Sequence, residues 1–514
     1  MQNDKCTQQR QQLKAGSKEH NTLGLRHRHT YESVVGSLKA TEKHYLPSCT
    51  AGRLGVALVY PNLYSLGMSN LGYLTVHRLL SATPGVAVER FFPALEAESP
   101  LKPPFYSFET VRPLGDFSIM MFSFSYEGDF DKIPGIFAAL GIPVIAEERN
   151  RHHPLMVAGG AAVASNPPAL SRIFDILVPG EAETALPSMM NILMQSGMQP
   201  DELAALPGVW VPANHDEMLA PSSMHDINSQ PAYAHIVSSQ NAFGGAHLIE
   251  LMRGCPRNCS FCLAKAIYQP VRSLQPAKLA EWLDQHPDCS DLGLVAPSLF
   301  DHPQIEEIFN MLAQRNIRIR NSSVKWEKLQ PRLLEILHKS GITGLTLAPE
   351  TGSKRLQTAI NKPMNEDRFI ECVREIFTAG FEQLKLYFVA CLPGEEQQDL
   401  DATIDFINSV VKASPSAGHI SAAFSLFVPK RRTLWQNKPA PTLQEMKHTI
   451  KYLKENLNKL STQLKTSFAS PQEALRQSLL SQAGPELAIE YAMEAKKCRE
   501  NRLFSRNQFS ALEF

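Results

Sequence analysis

Short apolar runs alternate with longer amphipathic segments along most of the chain, and this alternation predicts its architecture. Short apolar runs are typical of buried strands, whereas apolar residues three and four positions apart are typical of helices. In the first half, the predicted strands cover 54–61, 116–125, 155–163 and 174–180, with helices at 69–82, 129–141 and from 181 onward. Such an alternation predicts an α/β fold with an open parallel, Rossmann-like sheet, whose ligand crevice lies at the carboxyl ends of its strands.

A second series of strands and helices begins at residue 247. Its predicted strands cover 247–253, 291–297, 317–323, 344–350, 384–394 and 420–430, and a helical pattern follows each of the first five. Because crossovers between parallel strands are right-handed, the carboxyl ends of all these strands are expected at one mouth. Chemistry carried by the loops is therefore expected at that mouth.

Shifts in composition divide the chain into predicted segments. Residues 1–30 are polar and nearly free of bulky apolar groups, which predicts a disordered tail. The Rossmann-like domain is assigned to 31–210, and the stretch 211–234, rich in Pro, Ser, Asn and Asp, to a linker. A second α/β domain is assigned to 235–432. Residues 433–514 have a helical pattern and are expected to close the open side of that domain or to cover its mouth.

The balance of charge restricts the partners. The chain has 514 residues, of which 43% are hydrophobic, enough for sizeable cores. Lys plus Arg and Asp plus Glu both number 51, so no overall field draws the protein to nucleic acid or to an anionic membrane. No apolar run approaches the roughly 18 residues that span a bilayer, and the start lacks a hydrophobic signal core. Nine cysteines without a disulfide framework indicate a reducing compartment, so a cytoplasmic location is expected.

Three clustered cysteines form the strongest chemical signal. Cys255, Cys259 and Cys262 lie in the stretch GCPRNCSFC, directly after the predicted strand 247–253. Three thiolates at this spacing can hold a [4Fe–4S] cluster and leave its fourth iron without a protein ligand. A structural zinc site usually has four ligands in two close pairs, and no second Cys/His pair follows at such a spacing, although His247 lies nearby. A disulfide would leave one of the three cysteines over.

The spacing Cys-x3-Cys-x-Phe-Cys, with Phe261 before the last cysteine, resembles the signature of the radical S-adenosylmethionine (radical SAM) superfamily. The resemblance implies that S-adenosylmethionine chelates the open iron. One-electron reduction would then cleave it to a 5′-deoxyadenosyl radical, which abstracts hydrogen from a substrate. It also implies that the six predicted strands and their helices form a partial (β/α)6 barrel of the TIM type, and that Phe261 belongs to the cofactor-binding surface.

Two further segments resemble elements of that family at the barrel mouth. The segment APETGSKRL, 348–356, is similar to the fourth-strand element that contacts the ribose or methionine part of S-adenosylmethionine, which implies that Glu350 is a polar contact. The same carboxylate could instead stabilise the start of a helix. Ser322 and Ser323 end the third predicted strand and are candidates for the methionine carboxylate, or they cap the following turn. No catalytic side chain is assigned.

The first domain resembles the cobalamin-binding-like domain that precedes many radical SAM barrels. In that family an Asp-x-His-x-x-Gly motif follows the first strand, and its histidine ligates cobalt. Here the corresponding residues are Asn62, Tyr64 and Gly67, and phenol is a poor substitute for imidazole as a metal ligand. Three interpretations stay open: cobalamin without a lower protein ligand, another ligand in the crevice, or a domain that only packs on the barrel.

Basic residues flank the cysteine motif at Arg253, Arg257, Lys265 and Arg272. They could stabilise a reduced cluster, bind an acidic substrate, or be ordinary solvated charges. The resemblance implies an enzyme that acts on a small-molecule or unknown substrate by methyl transfer or radical rearrangement, with an electron donor such as flavodoxin or ferredoxin. The alternative is a non-catalytic iron–sulfur protein that senses redox state or binds a partner.

Overall fold

A five-stranded parallel sheet organises the first half of the chain. The structure is a computed structural model that describes residues 28–47, 49–96, 99–100, 105–197, 200–214, 221–320 and 323–501. The elements of the first half are α1 (28–39), β1 (Glu42–His44), β2 (Leu54–Val59), α2 (Tyr64–Gly67), α3 (Leu71–Ser81), β3 (Val86–Phe91), β4 (Ala94–Glu96), β5 (Ser99–Pro100), β6 (Ile119–Ser123), α4 (Ile133–Leu140), β7 (Leu155–Gly159), α5 (Ala161–Ser165), β8 (Ile176–Val178), α6 (Ala182–Gln195), α7 (Pro200–Ala204) and β9 (Ile236–Ser238).

The order of this sheet is β3-β2-β6-β7-β8, and all its pairings are parallel. This is the order of flavodoxin-like doubly wound sheets, whose ligand crevice lies between the carboxyl ends of the first and third strands, here β2 and β6. The predicted Rossmann-like sheet is confirmed, with one strand, β3, that was not predicted. The charged pair Glu89 and Arg90 interrupts the apolar pattern of β3, yet all six of its residues are buried.

The second half forms a partial barrel. Its elements are β10 (His247–Glu250), β11 (Met252–Arg253), α8 (Leu263–Ile267), β12 (Arg272–Ser273), α9 (Pro276–Gln285), β13 (Asp291–Val295), α10 (Ile305–Gln314), β14 (Arg318–Ile319), α11 (Pro331–Lys339), β15 (Gly344–Glu350), α12 (Lys354–Ala359), α13 (Glu366–Thr378), β16 (Gln383–Ala390), α14 (Gln397–Ala413), β17 (His419–Leu426), α15 (Leu443–Leu457), β18 (Leu464–Phe468), α16 (Pro471–Gln482) and α17 (Leu487–Asn501).

The barrel strands form two parallel sheets, β10-β13-β14 and β15-β16-β17-β18. A parallel bridge between Ser323 and Thr346 joins them. Alternate side chains of the second sheet, such as Leu386, Phe388 and Phe424, pack into one core with the surrounding helices. The six strands of the predicted partial barrel are confirmed, and β18 adds a strand beyond them.

The C-terminal region differs from its prediction in two respects. The helical pattern predicted for 433–514 is interrupted after Leu457, because the alternating residues LKTSF at 464–468 pair with β17 as a strand. Of the last two helices, α16 contacts both the barrel and the first domain, whereas α17 packs on the first domain. Tyr491, on α17, is fully buried in the same core as Phe137 of α4, where the first domain offers an apolar face.

Two predicted segments are described only in part. The disordered tail was predicted for residues 1–30. Residues 1–27 lie outside the described residues, and residues 28–30 belong to α1. Of the predicted linker 211–234, residues 215–220 also lie outside them, and the remainder has irregular backbone with Ile227 buried in the barrel core. Within the described chain, no helix has the length and hydropathy needed to cross a bilayer.

Candidate iron–sulfur site at the barrel mouth

The three cysteines lie on one loop at the carboxyl end of the first barrel strand. This cluster loop, residues 254–271, leaves and returns through the antiparallel pair β11 and β12, in which Arg253 faces Arg272. Gly254 begins the loop with φ +84°, and a Cβ atom there would lie 2.4 Å from the carbonyl oxygen of Tyr268. Only glycine therefore lets the two ends of the loop pass this closely.

Cys255, Cys259 and Cys262 are free, half-buried thiols. Burial raises the pKa of the Cys259 thiol, and the nearby charge of Lys362 opposes that effect. The Lys362 ammonium also lies 2.7 Å from Oε1 of Glu350. The structure thus brings the predicted contact Glu350 to the cysteine loop, together with a lysine that the sequence did not indicate.

The donor set fits an iron–sulfur cluster. Among the described residues, no three His, Cys, Asp or Glu side chains converge on the position of a single metal ion. A four-iron cluster is wider than one ion and takes each thiolate at a different corner, so its three cysteines need to share a loop without converging on one point. Cys255, Cys259 and Cys262 share one loop, and each keeps part of its surface accessible.

The barrel holds the middle of the cluster loop through backbone contacts. The Ser260 amide donates to the carbonyl oxygen of Ile360 at 2.9 Å, and the Trp435 amide donates to the Ser260 carbonyl oxygen at 3.0 Å. Phe261 packs on an apolar group that includes Leu356, Ile360 and Trp435. The aromatic residue of the cysteine motif is therefore seated on the barrel, next to the thiols.

The first domain holds the base of the same loop through buried ion pairs. Arg253 lies 2.8 Å from Glu181, 2.7 Å from Glu183 and 2.6 Å from Glu250, and Arg272 lies 2.7 Å from Glu181. Burial alone would raise the pKa of Glu181, but the two arginines hold it below its usual value. Five charged groups with little contact to water therefore join the two domains beside Cys255; we name them the interface network.

Three of the four flanking basic residues are ion-paired. Arg253 and Arg272 belong to the interface network, and Arg257 contacts Asp301 at 3.2 Å. Lys265 lies on α8, immediately after Cys262, where α8 contacts α5 of the first domain. The two buried arginines are therefore neither solvated charges nor a free binding site for an acidic substrate.

Of the other predicted contacts, the structure describes Glu350 and Ser323 but not Ser322. Glu350 ends β15 with φ +67°, a strained value for a residue with a side chain. The following helix α12 is capped by Ser353, whose side chain accepts from the Leu356 amide, so Glu350 is not the residue that caps it. Ser322 lies outside the described residues, and Ser323 forms the bridge to β15.

The carboxyl edge of the first sheet is lined by polar side chains that bond to one another. Nδ2 of Asn62 donates to Asp129 at 2.7 Å, and Nδ2 of Asn70 donates to Ser125 at 2.7 Å. At the same edge Glu127 is ion-paired at 2.6 Å with Lys430, which follows β17 of the barrel. This crevice is therefore closed on one side by the barrel itself.

A cobalamin held from below by protein nitrogen does not fit this edge. The Tyr64 side chain, 1% exposed, points inward and donates to Oε1 of Glu42 at 2.7 Å. The Asn62 amide is engaged with Asp129. Of the three interpretations left open by the sequence, cobalamin without a lower protein ligand, another ligand, and packing alone remain compatible with these contacts.

Glu181, Glu183 and Lys362 are site residues that sequence reasoning did not assign. Glu181 and Glu183 were visible only as part of a Gly-Glu-Ala-Glu turn, and their arginine partners lie about seventy to ninety residues away. Lys362 follows the segment 348–356 closely, but nothing in its spacing distinguishes it from a solvated lysine. The one signal in the sequence is that Glu181 and Glu183 directly follow the predicted strand 174–180, where ligand-binding residues are expected.

Comparison with known proteins agrees with this geometry. The family model described as radical SAM proteins, N-terminal, matches residues 72–212, and the radical SAM superfamily model matches 249–407. An uncharacterised protein of Methanocaldococcus jannaschii is 27% identical over 407 residues, covering 79% of this chain and 83% of that protein. The first model does not specify cobalamin, so the cobalamin-binding-like character of the first domain stays a prediction.

Two solved structures share the fold across both domains. The radical S-adenosylmethionine methyltransferase TsrM from Kitasatospora setae, with cobalamin and a [4Fe–4S] cluster bound, has a TM-score of 0.54 at 14% identity, covering 75% of this chain and 74% of TsrM. The cobalamin-dependent S-adenosylmethionine radical enzyme OxsB, with aquacobalamin bound, has a TM-score of 0.51 at 14% identity, covering 87% of this chain and 62% of OxsB. The chain therefore carries radical SAM domains, the N-terminal one over residues 72–212 and the superfamily domain over 249–407.

Proposed function

We propose that this protein is a radical SAM enzyme that binds a [4Fe–4S] cluster through Cys255, Cys259 and Cys262 and acts on a substrate still to be identified. The observation that carries the proposal is the position of three free thiols on one loop at the mouth of a radical SAM domain. The cluster, when bound, supplies the electron that cleaves S-adenosylmethionine to a 5′-deoxyadenosyl radical.

Residues of the chain bind and orient the cluster and S-adenosylmethionine. Gly254 allows the tight return of the cluster loop, and Phe261 seats the loop on the barrel. Glu350 and Lys362 form a charge pair that can meet the amino and carboxylate groups of the methionine part of S-adenosylmethionine, each with the opposite charge. The interface network keeps the base of the loop away from water.

The reaction class rests on the first domain. Methyl transfer with a cobalamin that lacks a lower protein ligand is one candidate, supported by a fold shared with TsrM and OxsB across both domains. A radical rearrangement without cobalamin is the other, supported by the internally bonded side chains at the crevice. In both cases we expect a small-molecule substrate and an electron donor such as flavodoxin or ferredoxin.

Product analysis after anaerobic reconstitution tests the proposal. With dithionite, the reconstituted protein is expected to convert S-adenosylmethionine slowly to 5′-deoxyadenosine, and faster when cell extract supplies the substrate. A variant with all three motif cysteines changed to alanine is the control and is expected to form none. A cluster-loaded protein that neither binds S-adenosylmethionine nor forms 5′-deoxyadenosine would instead support the non-catalytic iron–sulfur alternative.

A further inference from the structure

The inner face of the second barrel sheet is open and unusually poor in large apolar side chains. On β16 and β17, every second residue packs outward against helices, including Leu386, Phe388 and Phe424. The opposite residues face the barrel interior, and those of β16, β17 and β18 are Gln, Lys, Tyr, Val, His, Ser and Ala. Interiors of closed (β/α)8 barrels are normally filled by bulky branched side chains, so this inner face is not a packed core of that kind.

Tyr387 presents its ring on that face. It is 41% exposed although it lies on a strand with neighbours on both sides. Its neighbour across the sheet on β17 is Ala423, and Ser467 of β18 follows in the same row. Because both side chains are small, neither covers the ring of Tyr387, which can stack on a flat group of a ligand on the side that the Lys385 ammonium does not occupy.

Two lysines lie one row below the ring. Lys385 and Lys465 both pair across the sheet with Ser421, so they project from the same face at a strand separation of about 10 Å. The Lys385 ammonium lies 4.7 Å from the centre of the Tyr387 ring. In the described part of the chain neither lysine has a carboxylate within ion-pair distance, and the inner positions of these three strands hold no Asp or Glu.

We infer that the substrate is a small molecule with an anionic group and a planar ring, which binds on this face with the anion at Lys385 and Lys465 and the ring on Tyr387. Charge complementarity selects an anion, because the inner positions of β16, β17 and β18 carry two lysines without carboxylate partners and no acid, while Glu350 at the end of β15 is already paired with Lys362. Tyr387 lies three residues before the end of β16, about 10 Å below the mouth, so a ligand bound here extends toward the cysteine loop.

This inference rests on the proposed function, because the bound ligand is a substrate only if the protein is an enzyme. Binding itself can be measured without turnover. The probes are 2-naphthoate and 2-naphthyl phosphate, which separate a carboxylate from a phosphate, and the uncharged 2-naphthamide. With the full-length reconstituted protein, calorimetric titration is expected to show at least one anion binding about tenfold or more tightly than the amide.

Substitutions then locate the site. Lys385→Gln and Lys465→Gln are each expected to weaken binding of the anion about fivefold to tenfold and to leave the amide unchanged, whereas Tyr387→Leu weakens all probes that bind. Lys451→Gln on α15, where the side chain is 76% exposed, is the matched control and is expected to change nothing. All these side chains reach solvent, so the variants are expected to keep the melting temperature of the parent protein.

Three outcomes overturn the inference: no binding of any probe at millimolar concentration, equal affinity for anion and amide, or an anion affinity unchanged in the Lys385→Gln/Lys465→Gln double variant. Formation of 5′-deoxyadenosine together with any of these would leave the proposed function standing and remove only the substrate class. Selective anion binding without formation of 5′-deoxyadenosine would keep the ligand class and remove the proposed function.

Discussion

The carboxyl edges of the two parallel sheets differ in how their polar groups are used. At the edge of the first sheet, Asn62 bonds to Asp129 and Asn70 to Ser125, each at 2.7 Å. At the edge of the barrel, Cys255, Cys259 and Cys262 are free thiols on a loop that is fixed at both ends. The first edge is bonded within the chain, whereas the second offers donors to a cofactor.

The difference shows that the topology places loops at the carboxyl edge of each sheet. The side chains on those loops then determine whether the edge can bind a cofactor. A ligand entering the first crevice must replace existing hydrogen bonds, and a buried polar group left without a partner costs about 1–3 kcal/mol. The thiols of the barrel edge have no comparable bonds to replace. The following predictions test how far this contrast holds.

The largest effect is expected at the barrel edge. Changing any one of Cys255, Cys259 or Cys262 to Ala should abolish the brown absorbance near 400 nm and the iron content of roughly four atoms per chain, because each thiolate holds one corner of the cluster. Iron analysis and absorbance measure this. Cys289→Ala and Cys391→Ala are the controls, and a full complement of iron in Cys259→Ala would refute the assignment.

The next effect concerns the interface network. Arg253→Ala leaves the carboxylates of Glu181, Glu183 and Glu250 without their common partner, and removal of one member of a buried ion pair costs about 3–5 kcal/mol. We expect a loss of that size in denaturant unfolding, together with faster loss of iron. The exposed pair of Arg315 and Asp284 provides the control, since Arg315→Ala should cost at most about 1 kcal/mol. Equal losses in the two variants would show that the network does not hold the loop.

A smaller effect is expected at Glu350. Glu350→Ala removes one charge of the pair with Lys362 and should weaken binding of S-adenosylmethionine about tenfold, while the iron content stays the same. Equilibrium binding to the reconstituted protein measures the change, and Glu371→Ala on the exposed side of α13 serves as comparison. Unchanged affinity would remove Glu350 from the site.

The smallest effect is expected at the first edge. Tyr64→Phe removes one hydrogen bond to Glu42 and should lower the free energy of unfolding by about 1 kcal/mol. If cobalamin is bound, the variant should retain it, and the cob(II)alamin spectrum of both proteins should lack nitrogen superhyperfine splitting. Nitrogen splitting would show an axial nitrogen, supplied either by the lower base of the cofactor itself or by a protein residue other than Asn62 and Tyr64. If the protein retains no cobalamin after growth with hydroxocobalamin, two interpretations are left: the crevice binds another ligand, or the domain only packs on the barrel.

Sequence predicted the features that depend on neighbours along the chain. The six barrel strands and the cysteine loop follow from local pattern and spacing. β3 was missed because Glu89 and Arg90 occupy its centre, and the charges are satisfied only by distant residues such as Glu42. β18 was missed because its five alternating residues directly follow a long helical pattern and form a strand only beside β17.

The candidate site divides in the same way. The three cysteines, Phe261 and the position of Glu350 could be assigned from motifs. The ion pair between Arg253 and Glu183 joins residues 70 positions apart, and no local pattern records that separation. Sequence therefore predicted the chemistry of the loop, and the structure was needed to show that the first domain holds it.

The burial of α17 in the first domain has a consequence for the order of events on the ribosome. Leu487, Tyr491 and Ala495 complete a core whose other members, such as Phe130 and Phe137, are synthesised more than three hundred residues earlier. Folding during synthesis usually completes domains from the amino terminus onward. Here the first domain stays unfinished until nearly the whole barrel has emerged, so an early stop codon in α17 would damage the earliest part of the protein.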